Sequence, residues 1–177
     1  MTDIVEVVIA DESWTSIDLD LLANRAISLA FLAINLPING YEISLLACND
    51  ARISELNGEY RGKPIATNVL SWPAFELAAA QDGGSPRPLP EPDGVWAESV
   101  GDLAIAYETC QREAISSGVD FADHVTHLIL HGCLHLFGYD HERDGDAALM
   151  EALETRALAS VGIDDPYSQS EHVGMEK

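Results

Sequence analysis

His127 to Asp146 reads HLILHGCLHLFGYDHERDGD, and the placing of His131, His135, Gly138 and His141 within it decides how the chain is read. His131 and His135 are four residues apart, so on a helix both imidazoles project from one face. Gly138 follows, the residue type that lets a helix end in a left-handed turn. The chain can then fold back and offer His141 from a loop. Three neutral imidazoles converging in this way form a tripod for zinc, with the fourth position left to water. Any one of these histidines could be an ordinary helix residue that binds nothing, and pairs at i, i+4 arise by chance. Three with a glycine hinge between the second and third are far more specific. His127 also lies four residues before His131, so a His127/His131 pair is a rival, but it lacks a third ligand from a turn. His127 is better placed as a group behind the ligands or facing substrate. Asp140, beside His141, either orients a ligand imidazole or is a solvated turn aspartate. Cys133 points to a different helix face from both neighbouring histidines and reads as a small buried hydrophobe. His172, near the C-terminus, is incidental.

The spacing His-x3-His-x2-Gly-x2-His is the frame of the metzincin zinc-protease motif HExxHxxGxxH, with one departure. Where that motif has the glutamate that takes a proton from the attacking water, this chain has Gly132. The metal geometry is kept and the general base is lost. The sequence therefore predicts a hydrolytic zinc site adapted to a bond other than the peptide.

Outward from this stretch, strand and helix patterns alternate. Ile4–Ala10 is a β-branched run and Tyr41–Cys48 a second strand; Thr67–Trp72, ended by Pro73, and Leu103–Tyr107 read as two more. Residues 18–35 carry Leu22, Ala26, Leu29, Ala30 and Ala33 at helical spacing and are closed by Pro37. Asn49-Asp50 caps a short helix through Ile53, Leu56 and Tyr60. Two further helices are expected at about 120–137 and 145–160. Between the third and fourth strands lie Pro86, Pro88, Pro90 and Pro92, in a Pro/Gly-rich segment, 82–94, that reads as a long irregular loop inside one domain. The chain is thus expected to form one domain over 1–163, with a polar acidic tail over 164–177 that frays.

The full sequence has 177 residues, with 9 Lys+Arg against 30 Asp+Glu and a net charge of −21. At 47 % hydrophobic it can still bury a core without disulfides. Cys48, Cys110 and Cys133 form an odd, widely spaced set with no CxxC pair, as in reduced cytosolic thiols. No basic n-region opens the chain and no apolar run is long enough to cross a bilayer, so a cytoplasmic protein away from membranes is expected. A charge of −21 repels phosphate backbones and argues against tight, autonomous nucleic-acid binding, DNA included. Residues 51–100 hold four basic and seven acidic side chains and net −3, the least acidic quarter of the chain. Arg61 and Lys63 lie there. An arginine is a planar, permanently charged fork for phosphate oxygens; its alternative is an exposed partner for Glu59 or another acid.

The run HGCLHLFGYDH, residues 131–141, resembles the HGxLHLxGYDH signature of the YbeY family of single-domain endoribonucleases. LNGEYRGKPIATNVLSWP at 56–73 resembles that family's LN-x-x-YRG…T-D-VLSFP block, and GDLAIA at 101–106 its GDI-x-I strand. Asn68 departs from the family's aspartate, Trp72 from its phenylalanine, and the 82–94 segment is longer than the family needs. The resemblance spans most of residues 40–160. It implies an α+β fold, a single compact domain with helices packed on a small mixed β-sheet and a zinc-hydrolase-like helix bearing the histidines. It implies one zinc per chain on His131, His135 and His141, and Arg61 aligned with the arginine associated with ribonuclease activity.

The function so implied is a single-strand-specific, metal-dependent endoribonuclease in ribosomal RNA maturation, including late small-subunit processing and ribosome quality control. Arg61 and His131 would be its catalytic residues, and Arg61 and Lys63 would bind substrate. His127, Asp140 and Ser71 stand as candidate supporting groups, ordinary packing being the plainer account of His127 and Ser71. The nucleophile is either the RNA's own 2′-hydroxyl or a water activated by the metal. Two other functions fit parts of the pattern: a non-catalytic ribosome-assembly factor with a structural zinc, and a zinc peptidase, disfavoured by Gly132. The acidity predicts that RNA is delivered by basic partners such as ribosomal proteins or assembly factors; a salty cytoplasm would give the same charge balance.

Overall fold

A computed structural model describes residues 3–168. The parallel strands β1 (Val5–Ile9), β2 (Tyr41–Cys48) and β4 (Glu98–Ala106) lie side by side, and β3 (Val69–Pro73) runs antiparallel along the outer edge of β4. Helices α1 (Leu19–Ala33), α2 (Asp50–Arg61), α3 (Tyr107–Ser117), α4 (Phe121–Leu136) and α5 (Asp144–Ala159) cover the sheet. The α+β class with a small mixed sheet is as the sequence predicts.

Alternation along the strands sorts the core into two layers. Tyr41, Ile43, Leu45 and Ala47 of β2 join α1 and α4 in the main core, which also holds Trp14, Phe31 and Phe137. Leu70, Ala104 and Ala106 face the other way and pack with Ile53 and Leu56 of α2. Capping fixes where the helices begin: the carboxylates of Asp18 and Asp120 accept backbone N–H bonds at the starts of α1 and α4, and the Asn49 side chain does so for α2.

The structure departs from the sequence reading in several places. The strand expected at Leu103–Tyr107 begins five residues earlier, at Glu98, and Tyr107 opens a helix instead. Helix α3 was not anticipated, because the residues that YETCQREAISS buries, Cys110 and Ala114, are few and small and mark its inner face only faintly among polar neighbours. A short 3-10 turn at Glu12–Ser16, which seats Trp14 in the core, was also unread. The proline-rich stretch lies, as expected, in a segment without helix or strand. It is nonetheless tied down: Leu77 and Leu89 are buried, Tyr41 donates to the Pro90 carbonyl (2.9 Å), and Asp82 and Gly83 bond with Asp146 of α5 (both 2.9 Å). Residues 164–168, expected to fray, are held instead, Thr155 donating to Asp165 (3.2 Å) and Tyr167 to Glu154. Residues 169–177, with His172, lie outside the described residues.

Gly101 is where β4 departs from regular alternation. Its φ is 145°, the register with β2 shifts beside it, and a Cβ there would stand 2.4 Å from the Trp72 carbonyl oxygen and 2.9 Å from Leu136 Cδ2. The glycine lets β3 and α4 close on β4 together. Gly101→Ala is expected to destabilise the protein by about 2 kcal/mol or more, read as a lowered midpoint in thermal or urea unfolding. A midpoint equal to wild type would show that β3 can move aside without loss.

Candidate metal centre

Helix α4 carries His131 and His135 on one face and ends as the sequence predicts. Gly138 takes φ 98°, and a Cβ there would press to 2.8 Å on Leu77, so this position excludes side chains both by conformation and by contact. The turn then orients the second histidine: His135 Nδ1 donates to the Tyr139 carbonyl at 2.9 Å, which leaves Nε2 unprotonated and turned toward His131. The Nε2 atoms of His131 and His135 are 3.1 Å apart. The His141 ring stands 5.3 Å and 5.1 Å from theirs, and one nitrogen from each of the three lies within 4.8 Å of the others.

This donor set fits a metal ion. Nitrogen ligands at about 2.0–2.1 Å in a tetrahedron lie about 3.3 Å apart, close to the separation of the two Nε2 atoms. Burial, then the neighbouring His131 and His141, push the His135 imidazole down to about 4 despite its bond to Tyr139, so it is neutral near pH 7 and free to donate its lone pair. The sequence-predicted trio is therefore brought together. Cys133, between them, is fully buried and turned into the core.

Gly132 has a steric reason of its own. A Cβ there would meet Leu103 Cδ2 at 3.0 Å and Ser71 Oγ and Val69 Cγ2 at 3.2 Å. A side chain there would require Leu103, Ser71 and Val69 to give by a few tenths of an ångström, so the close approach of α4 to β3 and β4 favours glycine. Ser71 Oγ donates to the Gly132 carbonyl (3.1 Å), and the Ser71 carbonyl, on the outer edge of β3, accepts from Arg61 Nη2 (2.9 Å). Arg61 is exposed and forms no ion pair among the described residues, so the alternative pairing with Glu59 does not occur.

Comparison with known proteins gives the family. The family described as "Endoribonuclease YbeY" matches residues 8–162. The endoribonuclease YbeY of Ruegeria pomeroyi is 57 % identical over 164 residues, covering 93 % of this chain and 98 % of that one. That of Dinoroseobacter shibae is 52 % identical over 163 residues, 92 % of this chain and 90 % of its own. This chain belongs to the YbeY family. The solution structure of TM1509 from Thermotoga maritima shares the fold, with a TM-score of 0.56 at 18 % identity over 89 % of this chain and 88 % of that one.

The remaining candidates take varied places around this YbeY-family site. Lys63 is exposed just beyond Gly62, the left-handed cap of α2. Asp140 accepts from the backbone N–H of His141 (2.7 Å), so it shapes the turn rather than holding an imidazole. His127 is buried, with Nε2 lacking a hydrogen bond and 3.7 Å from Glu154. Asn68, the departure from the family's aspartate, donates both contacts of its amide nitrogen to Glu113 (3.0 and 3.2 Å), which also bonds His124 (3.1 Å). An aspartate would place two carboxylates in contact there, so this substitution is matched to Glu113.

Glu154 was missed from the sequence. It is fully buried on α5 and accepts from His131 Nδ1 and from the Tyr167 hydroxyl. Burial raises its carboxyl, but His127 and His131 outweigh burial and hold it far below the usual carboxylate range. One signal was available: Asp146, Met150, Leu153, Glu154, Ala157 and Leu158 form a single buried stripe, and Glu154 is an acid in its midst.

The depressed His135 sets a pH dependence for the metal-free protein. With about 4 in the folded chain against 6.5 as the ordinary value, the unfolded chain binds the extra proton between those limits. This contribution to stability is therefore full above about pH 6.5 and lost as pH falls toward 4, at up to about 1.4 kcal/mol per pH unit. Urea unfolding at pH 7 and pH 5 in the presence of chelator, compared with His135→Gln, should show a shallower loss in the variant. Equal losses would remove His135 as the source.

Proposed function

We propose that this chain is a zinc-dependent endoribonuclease that cuts single-stranded RNA in ribosomal RNA maturation. The observation that carries the reading is the joining of the three-imidazole site to Arg61 through Ser71 and Gly132, with glycine where the peptidase base would stand. His131, His135 and His141 hold the ion. Bound there, zinc supplies Lewis-acid polarisation of a phosphoryl oxygen and acidifies water. Arg61, fixed at the edge of β3 by one guanidinium nitrogen, presents its remaining donors to the scissile phosphate and offsets charge that develops on its oxygens. Lys63 adds a second cation for the neighbouring phosphate. The names of the relatives support the ribonuclease class.

The acidity sets the context of the reaction. A net charge of −21 makes affinity for free RNA weak and steeply salt-dependent, so the substrate is presented by basic partners, ribosomal proteins or assembly factors, in the cytoplasm. No described helix is long and apolar enough to cross a membrane.

The test is RNA cleavage by zinc-loaded protein on single- and double-stranded substrates of one sequence. Arg61→Ala is expected to lower the single-strand cleavage rate about 10²–10³-fold with zinc content unchanged. His131→Ala should lose both zinc and cleavage. Cleavage unaffected by Arg61→Ala, or persisting in His131→Ala preparations, overturns the assignment.

A further inference from the structure

We infer that Glu154 is the positioning residue of the metal centre: its buried carboxylate, steadied by the Tyr167 hydroxyl, locks His131 with Nδ1 protonated and Nε2 facing the ion. This inference rests on the reading that the three histidines hold zinc.

Glu154 has no exposed surface and is the most deeply buried charged side chain among the described residues. A carboxylate in that position is costly to bury and is tolerated only where its oxygens are engaged. Both are. Oε1 accepts from His131 Nδ1, while Oε2 accepts from Tyr167 Oη. The Tyr167 ring also stands edge-on to His127, 5.8 Å between centroids. An apolar residue would suit the stripe of α5 that Glu154 interrupts, so the packing of α5 does not account for the acid. The histidine does. An acceptor for Nδ1–H fixes the tautomer, and a negative one makes the opposite nitrogen a stronger donor to a cation.

The two helical ligands are supported unequally. His135 gives its Nδ1 proton to a neutral backbone carbonyl that the Gly138 turn supplies. His131 depends on a charged side chain 23 residues away, itself held by a tyrosine 13 residues further on. Tyr167 lies beyond α5, so the segment after the last helix completes the metal site rather than trailing from it. His127, His131 and Glu154 could themselves be taken for a second cation site. That would require His131 to give both ring nitrogens to metals, whereas its Nδ1 is already bonded to Glu154.

The experiment is competition for zinc between the full chain and a chromophoric chelator, with unfolding of the metal-free proteins and the visible spectrum of the cobalt-substituted forms recorded alongside. Glu154→Gln keeps shape and removes charge. It is expected to weaken zinc binding about 10–100-fold and to alter the cobalt spectrum, with the metal-free unfolding midpoint no lower than wild type. Tyr167→Phe, which leaves the carboxylate in place, should weaken binding severalfold in the same direction. Glu154→Asp should recover part of the loss. Thr155→Ala removes the neighbouring tie to Asp165 and should leave zinc affinity unchanged, separating the Glu154 contact from general loosening of the segment. Zinc affinity of Glu154→Gln and Tyr167→Phe equal to wild type, losses that merely follow a fall in metal-free stability, or two zinc ions per wild-type chain would each overturn the inference while leaving the three-histidine reading standing. A wild-type chain that takes up no zinc would overturn both.

Discussion

The close approach of α4 to β3 at Gly132 is the constraint on which the rest of the site depends. With no side chain at 132, the helix backbone comes near enough to the edge strand for Ser71 Oγ to bond the Gly132 carbonyl, with Leu103 and Val69 closing the contact. That contact ties α4, which carries His131 and His135, to the strand whose outer edge anchors Arg61. A larger residue would press on Leu103, Ser71 and Val69 and loosen the contact that joins α4 to β3. The same absence of a side chain removes the proton acceptor of the protease motif, so one packing requirement both builds this site and withholds the other chemistry.

Supports for the two helical imidazoles come from different parts of the fold. The backbone of the turn after α4 holds His135, while α5 and the chain beyond it hold His131. Asp82 and Gly83, in the loop between β3 and β4, bond Asp146 at the start of α5, and Leu77 of the same connection seats Gly138. The long irregular connection thus buttresses both elements that orient the ligands, which gives a structural reason for a segment whose sequence showed only prolines and glycines.

Much of this was legible in the sequence where the signal is local. The i, i+4 histidines and the glycine after them define α4 and its turn because spacing and φ preference act over a few residues. Pro37 closes the α1 region for the same reason. What was not legible depends on distant partners or on weak periods. The first half of β4 is hidden by Gly101, which breaks alternation for the sake of Trp72 and Leu136, far away in sequence. Helix α3 is hidden by small buried residues. Arg61 was readable as a cation, but its anchor is a backbone carbonyl, which no residue type announces. Glu154 and Tyr167 were lost because an acid in an apolar stripe gains meaning only from the histidine it faces.

The edge position of β3 bears on which polymer the site can accept. An unpaired strand edge is a ready template for an extended peptide, which would add as a further strand through backbone bonds. Here the outward carbonyl of Ser71 is already taken by Arg61, and Pro73 in the same strand offers no N–H. An incoming peptide would have to displace a charged donor, leaving the guanidinium without its anchor. A phosphodiester needs no strand partner and is attracted by the donors that Arg61 has left over. On the proposed reading, blocking the edge and binding phosphate are two consequences of one side chain, and together with the missing base they would turn a protease-like frame of histidines toward the phosphate backbone.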